Sequence, residues 1–135
     1  MLPSSEPRIT RLLPGEVFVF GSNLAGQHNK GAALTARRKF GARNGQSMGL
    51  MGQSYGIATK DANLRVLPLH RIAVQVERFL RYAIAHPDRR FLVTPIGCGL
   101  AHYSPKQIAP LFGRTIPPNV ILPASFVAVL TAKTL

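Results

Sequence analysis

The sequence predicts a three-layer α/β/α domain built on a mixed, largely parallel sheet. Apolar strand-like segments alternate along the chain with helix-like ones, which is the pattern of strand–helix–strand units. In addition, two apolar segments, ending at Gly21 and at Pro95, each hand over to a helix start through a loop of small residues.

Residues 1–15 contain three prolines and are expected to form an irregular lead-in. Glu16 to Phe20 reads as a buried strand that ends at Gly21. A helix is expected from Asn29 or Lys30 to Phe40, stopped by Gly41, with Arg37-Arg38-Lys39 at the end where cations meet the dipole favourably. The glycine-rich stretch from Gly41 to Gly52 reads as a mobile or tightly turning loop, and Gln53 to Thr59 as a short strand. In Leu69 to Ala85, the residues Ile72, Val76, Phe79, Leu80 and Ala83 recur at helical spacing, and Pro87 ends the helix. Phe91 to Pro95 is a second apolar strand. Ser104-Pro105-Lys106-Gln107 then combines N-cap Ser, N1 Pro and N3 Gln in a capping box, and Pro110 should shorten or kink that helix. Asn119 to Leu122 reads as the last strand, and Phe126 to Leu130 as a short strand or turn.

A chain of 135 residues with 46% hydrophobic content is expected to be one domain with a real core, not a disordered segment. No apolar run approaches the ~18 residues of a membrane helix. The first 16 residues lack an apolar stretch and carry Glu6 and Glu16, so they do not read as a signal peptide. The single cysteine, Cys98, excludes an internal disulfide and fits a reducing, cytoplasmic setting. The balance of 17 Lys and Arg against 5 Asp and Glu gives a net charge of +12, which attracts polyanions. The basic residues are scattered, however, and Arg71, Arg78 and Arg81 belong to the outer face of an amphipathic helix. Aromatic residues make up 7%, and none interleave with arginines as a single-strand stacking platform would. Weak, sequence-independent contact with nucleic acid is the expectation from charge alone.

Several chemistries are absent. Gly97-Cys98-Gly99 lacks the third glycine of a dinucleotide fingerprint, and neither a Walker A motif nor a GxSxG elbow occurs. Cys98 and His102 read more simply as a loop thiol beside a surface imidazole than as a nucleophile and its base. No second Cys/His pair stands near them to complete a zinc site, and neither metal nor cofactor is expected. His28, His70 and His86 read as one loop residue and two helix-terminal ones. Only five carboxylates exist, Glu6, Glu16, Asp61, Glu77 and Asp88, too few and too dispersed for a paired-carboxylate hydrolase. Lys60-Asp61, directly after a strand, is either a solvated charge pair or a lysine at the mouth of a crevice. The two small-residue loops lie where strands end and helices begin, which is where open α/β sheets bind ligands. Backbone N–H groups there suit phosphate oxygens better than a metal.

Taken together, "VFGSNLAGQHNKGAALTARRKFGA", "SYGIATKD" and "TPIGCGLAHYSPKQIAPLF" resemble the macro domain superfamily, which binds ADP-ribose and its relatives. The likeness runs from about Val17 to about Phe126 and is nearest to the terminal ADP-ribose protein glycohydrolase branch and to small macro-like proteins of phages and plasmids. The resemblance implies that Ser22 and Asn23 face the distal ribose, and that Gly31 and Ala32 open the helix beside it. It further implies that Gly97, Cys98, Gly99 and Leu100 cradle a diphosphate. In this reading Thr59 and Lys60 end a strand at the site, and Lys60 matches the lysine that attacks the anomeric carbon. The chain departs from the pattern at Ala101, where the glycohydrolase has an acid/base aspartate, and it has no obvious counterpart of the early acidic residue that recognises adenine. Asp61 or His102 would then take over proton transfer. The function implied is binding of ADP-ribose, an ADP-ribosylated substrate or another NAD-derived nucleotide, with hydrolysis of an ADP-ribosyl linkage as an extension. Two alternatives remain open: a non-catalytic module that sequesters a nucleotide signal, and a basic nucleic-acid-associated protein.

Overall fold

The computed structural model describes residues 4–5, 9–113 and 115–132. One six-stranded sheet organises them, in the order β1-β6-β5-β2-β4-β3. The strands are β1 (Ser4–Ser5), β2 (Glu16–Asn23), β3 (Gly49–Met51), β4 (Ser54–Lys60), β5 (Arg90–Val93) and β6 (Val120–Pro123). All neighbours pair in parallel except β3, which runs antiparallel to β4. The helices are α1 (Gly31–Lys39), α2 (Leu69–Ala85), α3 (Pro105–Ile108), which continues as a 3-10 turn over Ala109–Phe112, and α4 (Ala124–Thr131). The α/β class expected from the alternation is therefore the one observed.

Alternation along β2 builds the layers, because successive side chains on a strand point to opposite faces. Val17 and Val19 join the larger core with Ile72, Val76, Phe79, Phe91, Phe112 and Phe126, beneath α2, the 3-10 turn and α4. Phe18 and Phe20 point the other way, onto Ala33, Ala36 and Phe40 of α1 and its end. The alanines let α1 lie close over two phenylalanine rings. Helices thus cover both faces.

The helix α2 has the bounds read from its periodicity, and Ile72, Val76, Phe79 and Ala83 are its buried stripe. Its C-terminal carbonyls are not left open. The Asn119 amide donates to the carbonyls of Ala83, His86 and Arg89 at 2.9, 3.1 and 3.1 Å, which also anchors the start of β6. Arg71, Arg78 and Arg81 lie exposed on the outer face, with Arg81 paired to Glu77 at 2.6 Å. An exposed pair of this kind adds at most about 0.5 kcal/mol. No helix among the described residues is long and apolar enough to cross a membrane.

Four segments differ from expectation. The lead-in contributes Ser4–Ser5 as a strand beside β6. The strand β2 does not end at Gly21 but pairs with β4 as far as Asn23, because β4 itself continues to Lys60 and offers it partners. The glycine-rich stretch contains β3, which pairs with the free edge of β4. Phe126 to Leu130 lies in α4, not in a strand. Both edges of β6 are already occupied, by β1 and β5, so no pairing position remains for the segment, which buries Phe126 and Val127 from a helix instead.

Gly56, in the middle of β4, shows how tightly the glycine-rich loop seats on the sheet. A Cβ there would stand 2.7 Å from the Ser47 carbonyl oxygen and 3.3 Å from Ser22 Oγ. Backbone is the obstacle, so relief requires moving the loop. Gly56→Ala is expected to cost about 1–3 kcal/mol, read as a fall of several degrees in the thermal midpoint. An unchanged midpoint would show the loop to be free to yield.

Candidate functional site

Because β5, β2 and β4 are parallel neighbours, their C-terminal ends lie together at one edge of the sheet. The loops that leave them enclose a crevice of about 380 Å³. Ten of the residues expected at the site line it: Ser22, Asn23, Gly31, Ala32, Thr59, Lys60, Gly97, Gly99, Leu100 and Ala101. Cys98, Asp61 and His102 do not.

The first wall is the Asn23–Lys30 loop. The Asn23 amide closes it on itself, donating to the Gln27 carbonyl at 2.8 Å while its oxygen accepts the Gln27 N–H at 3.1 Å. Ser22 is buried, and its hydroxyl donates to the Ser47 carbonyl. Thr59 donates to the Ser22 carbonyl at 3.3 Å. These polar side chains therefore hold the wall in shape before any ligand arrives. The glycine-rich stretch backs the wall from behind. The Gly45 N–H donates to the Gly26 carbonyl at 2.8 Å, and Asn44 Oδ1 accepts the His28 N–H at 2.9 Å. His28 is wholly buried, edge-on to Phe20, with Nε2 2.7 Å from the Gln46 carbonyl. It is a strut of the wall, a role that no local sequence signal announces.

The second wall is the Gly97–Ala101 loop. Gly97 has φ 73°, a left-handed conformation, and a Cβ there would lie 2.9 Å from Ile108 Cδ1. The loop is pinned by Cys98 N–H to the Pro95 carbonyl (3.1 Å) and Tyr103 N–H to the Gly97 carbonyl (2.8 Å). Among the described residues the N–H groups of Gly97, Gly99, Leu100 and Ala101 have no acceptor. Three of them, Gly99 to Ala101, are successive, and successive free donors suit an anion. Between the walls stands the start of α1, whose N-cap is Lys30 and which has no side-chain cap. Its first N–H groups add positive potential on the same side. Among the described residues the crevice lining carries Lys30 and Lys60 and no carboxylate.

Lys60 is half-buried at the end of β4 and forms no ion pair among the described residues. Adjacent Asp61 is committed elsewhere. Its carboxylate accepts the N–H groups of Asn63 and Arg65 at 2.8 and 2.9 Å, so it builds the turn after β4. His102 is exposed with φ 65°, while Ala101 beside it is buried and does line the crevice. Asp61 thus serves its own turn, and neither Asp61 nor His102 lines the crevice beside Lys60.

Cys98 turns away and packs on the main core, where burial pushes its thiol up to about 11. A folded-state value raised above the unfolded one stabilises below pH ~9, and that contribution is lost as pH rises through about 11. Only the thiolate alkylates. At pH 8, iodoacetamide should therefore label the native protein at least about tenfold more slowly than the protein in denaturant. Equal rates would show an accessible, ordinary thiol.

No group of three or more potential metal ligands occurs among the described residues. Lys30, Gln27, Asn29 and Leu64 also line the crevice and were not singled out from the sequence. The spacing of Lys30 before Gly31 could have flagged the first of them as a basic helix start. Compared with protein-family models, curated proteins and solved structures, the chain matches none.

Proposed function

We propose that the crevice binds ADP-ribose or a related NAD-derived nucleotide, as the macro-domain resemblance implies. The observation that supports this most is the set of unpaired N–H donors at Gly97, Gly99, Leu100 and Ala101 beside the uncapped start of α1, in a crevice whose described lining holds two lysines and no carboxylate. Such a surface suits a diphosphate, whose oxygens accept from backbone donors without needing a cation of their own. Binding without turnover, as in a sequestering module, is the reading favoured over hydrolysis. Its support is that Ala101 stands where the related glycohydrolase pattern has an acid, while the Asp61 carboxylate is spent on its own turn.

Calorimetry with ADP-ribose, its phosphorylated and cyclic forms, NAD, AMP and an ADP-ribosylated peptide tests the proposal. ADP-ribose is expected to bind with a dissociation constant on the order of micromolar. A duplex DNA competitor at physiological salt is expected to leave that affinity unchanged, since contacts made by scattered charge are weakened by counterion competition. No binding by any nucleotide, with tight DNA binding that persists at that salt, would replace this reading with the nucleic-acid one.

A further inference from the structure

We infer that Leu64 and Leu100 form an apolar subsite at the mouth of the crevice that takes a planar ring of the bound nucleotide; this rests on the nucleotide reading above. Both leucines line the crevice, and both are about half exposed, at 46% and 53%. They arrive on the loops after β4 and β5, the strands that flank β2, so they approach from its two sides. Exposed leucines on two separate loops that meet in one crevice are more informative than apolar residues scattered singly.

Leu64 is also held in an unfavourable backbone conformation. Its φ is 63°, a region where glycine or asparagine is at home and a leucine is not. The turn that imposes it is over-determined. The Leu64 N–H donates to the Asp61 carbonyl at 3.0 Å, the Asp61 N–H to the Arg65 carbonyl at 2.8 Å, and the Asp61 carboxylate accepts two further N–H groups. A bridge between Lys60 and Val66 closes its base. Backbone strain persists where the surroundings enforce it, and here it serves to present one side chain. Asp61 is accordingly a positioning residue for Leu64. On the other side, Leu100 Cδ1 lies 4.0 Å from the place a Cβ on Gly31 would occupy, so that side chain reaches the start of α1.

The surroundings decide the chemistry of the ring. Among the described residues no carboxylate lines the crevice to read an exocyclic amine, and no aromatic side chain lines it to stack on. Recognition by two aliphatic faces favours a flat apolar surface and discriminates weakly among bases. The ring is either the adenine or a heteroaromatic group joined to the second ribose.

The test is calorimetry on the parent, Leu64→Asn and Leu64→Gly with ADP-ribose, NAD and ribose 5-phosphate, with thermal midpoints as the check on folding. Both variants relax the left-handed position, so the midpoints should not fall. Loss of the apolar contact is expected to weaken binding of NAD, and of ADP-ribose where adenine is the ring, by about tenfold and to leave ribose 5-phosphate unaffected. Equal losses for ADP-ribose and NAD place adenine between the leucines; a loss confined to NAD places the second ring there. Unchanged affinity for both in a parent that binds them overturns the subsite alone, and so does an equal loss for ribose 5-phosphate. A parent that binds neither ADP-ribose nor NAD overturns the nucleotide reading, and the subsite with it.

Discussion

Gly99→Val is expected to abolish nucleotide binding, by at least about a hundredfold (~2.7 kcal/mol), while leaving the protein folded. A Cβ at Gly99 would meet nothing within 4 Å, and its φ lies outside the left-handed region, so the protein itself tolerates the side chain. Gly99 lines the crevice, so an isopropyl group there competes with a ligand for the space beside the loop's free N–H groups. A phosphate oxygen must come within about 3 Å of those donors, and a branched side chain prevents that approach. Gly97→Val provides the contrast. It combines φ 73° with a Cβ 2.9 Å from Ile108 Cδ1, and is expected to cost about 2–4 kcal/mol of stability before any ligand is considered. Thermal unfolding and calorimetry on the pair separate a steric block at the site from a broken loop. Unchanged affinity in a folded Gly99→Val protein would remove this loop from the site.

Ala101→Asp is expected to raise ADP-ribosyl hydrolase turnover by about a hundredfold or more over a slow or undetectable parent rate, the usual scale of general acid–base catalysis. Position 101 lines the crevice and is only 6% exposed, so a carboxyl there would be held close to a ligand. In the step envisaged, the Lys60 amine lone pair forms a C–N bond to the anomeric carbon as the bond to the leaving oxygen breaks, and the new carboxylic acid donates its proton to that oxygen. Water then releases ADP-ribose from the lysine adduct. Lys60→Ala should abolish this turnover in the Ala101→Asp background while weakening binding only modestly. Release of ADP-ribose from a modified peptide measures the rate, and borohydride trapping during turnover detects the adduct. Robust turnover without Lys60 would rule out the lysine route. Absence of turnover in both the parent and Ala101→Asp would strengthen the sequestering reading.

How far the site was legible depended on the kind of signal. Glycines and a capped helix start advertise a ligand loop through local chemistry, and ten of the expected residues do line one crevice. The catalytic assignments to Asp61 and His102 rested on adjacency to Lys60 and Ala101, and adjacency along a chain says little about direction. Asp61 turns into its own loop and His102 out to solvent. Leu64 was invisible for the complementary reason: its importance lies in a positive φ that only the closed turn reveals.

The amino-acid sequence by itself determined the α/β class, the parallel order of strand and helix, the bounds of α2 and the capped start of α3. Each is set by interactions within a turn or two, such as the 3.6-residue apolar stripe ended at Pro87 and the Ser104 N–H held by Gln107 Oε1 at 2.9 Å. The tertiary structure alone decided that β2 runs on to Asn23, that Gly49–Met51 becomes a strand, that Phe126 to Leu130 is helical, and that His28 and Ser47 brace the crevice wall. Those features depend on which strand edges remain free and on hydrogen bonds between residues far apart in the chain, 25 positions for Ser22 and Ser47. A local pattern carries no record of a partner that folding has yet to bring near.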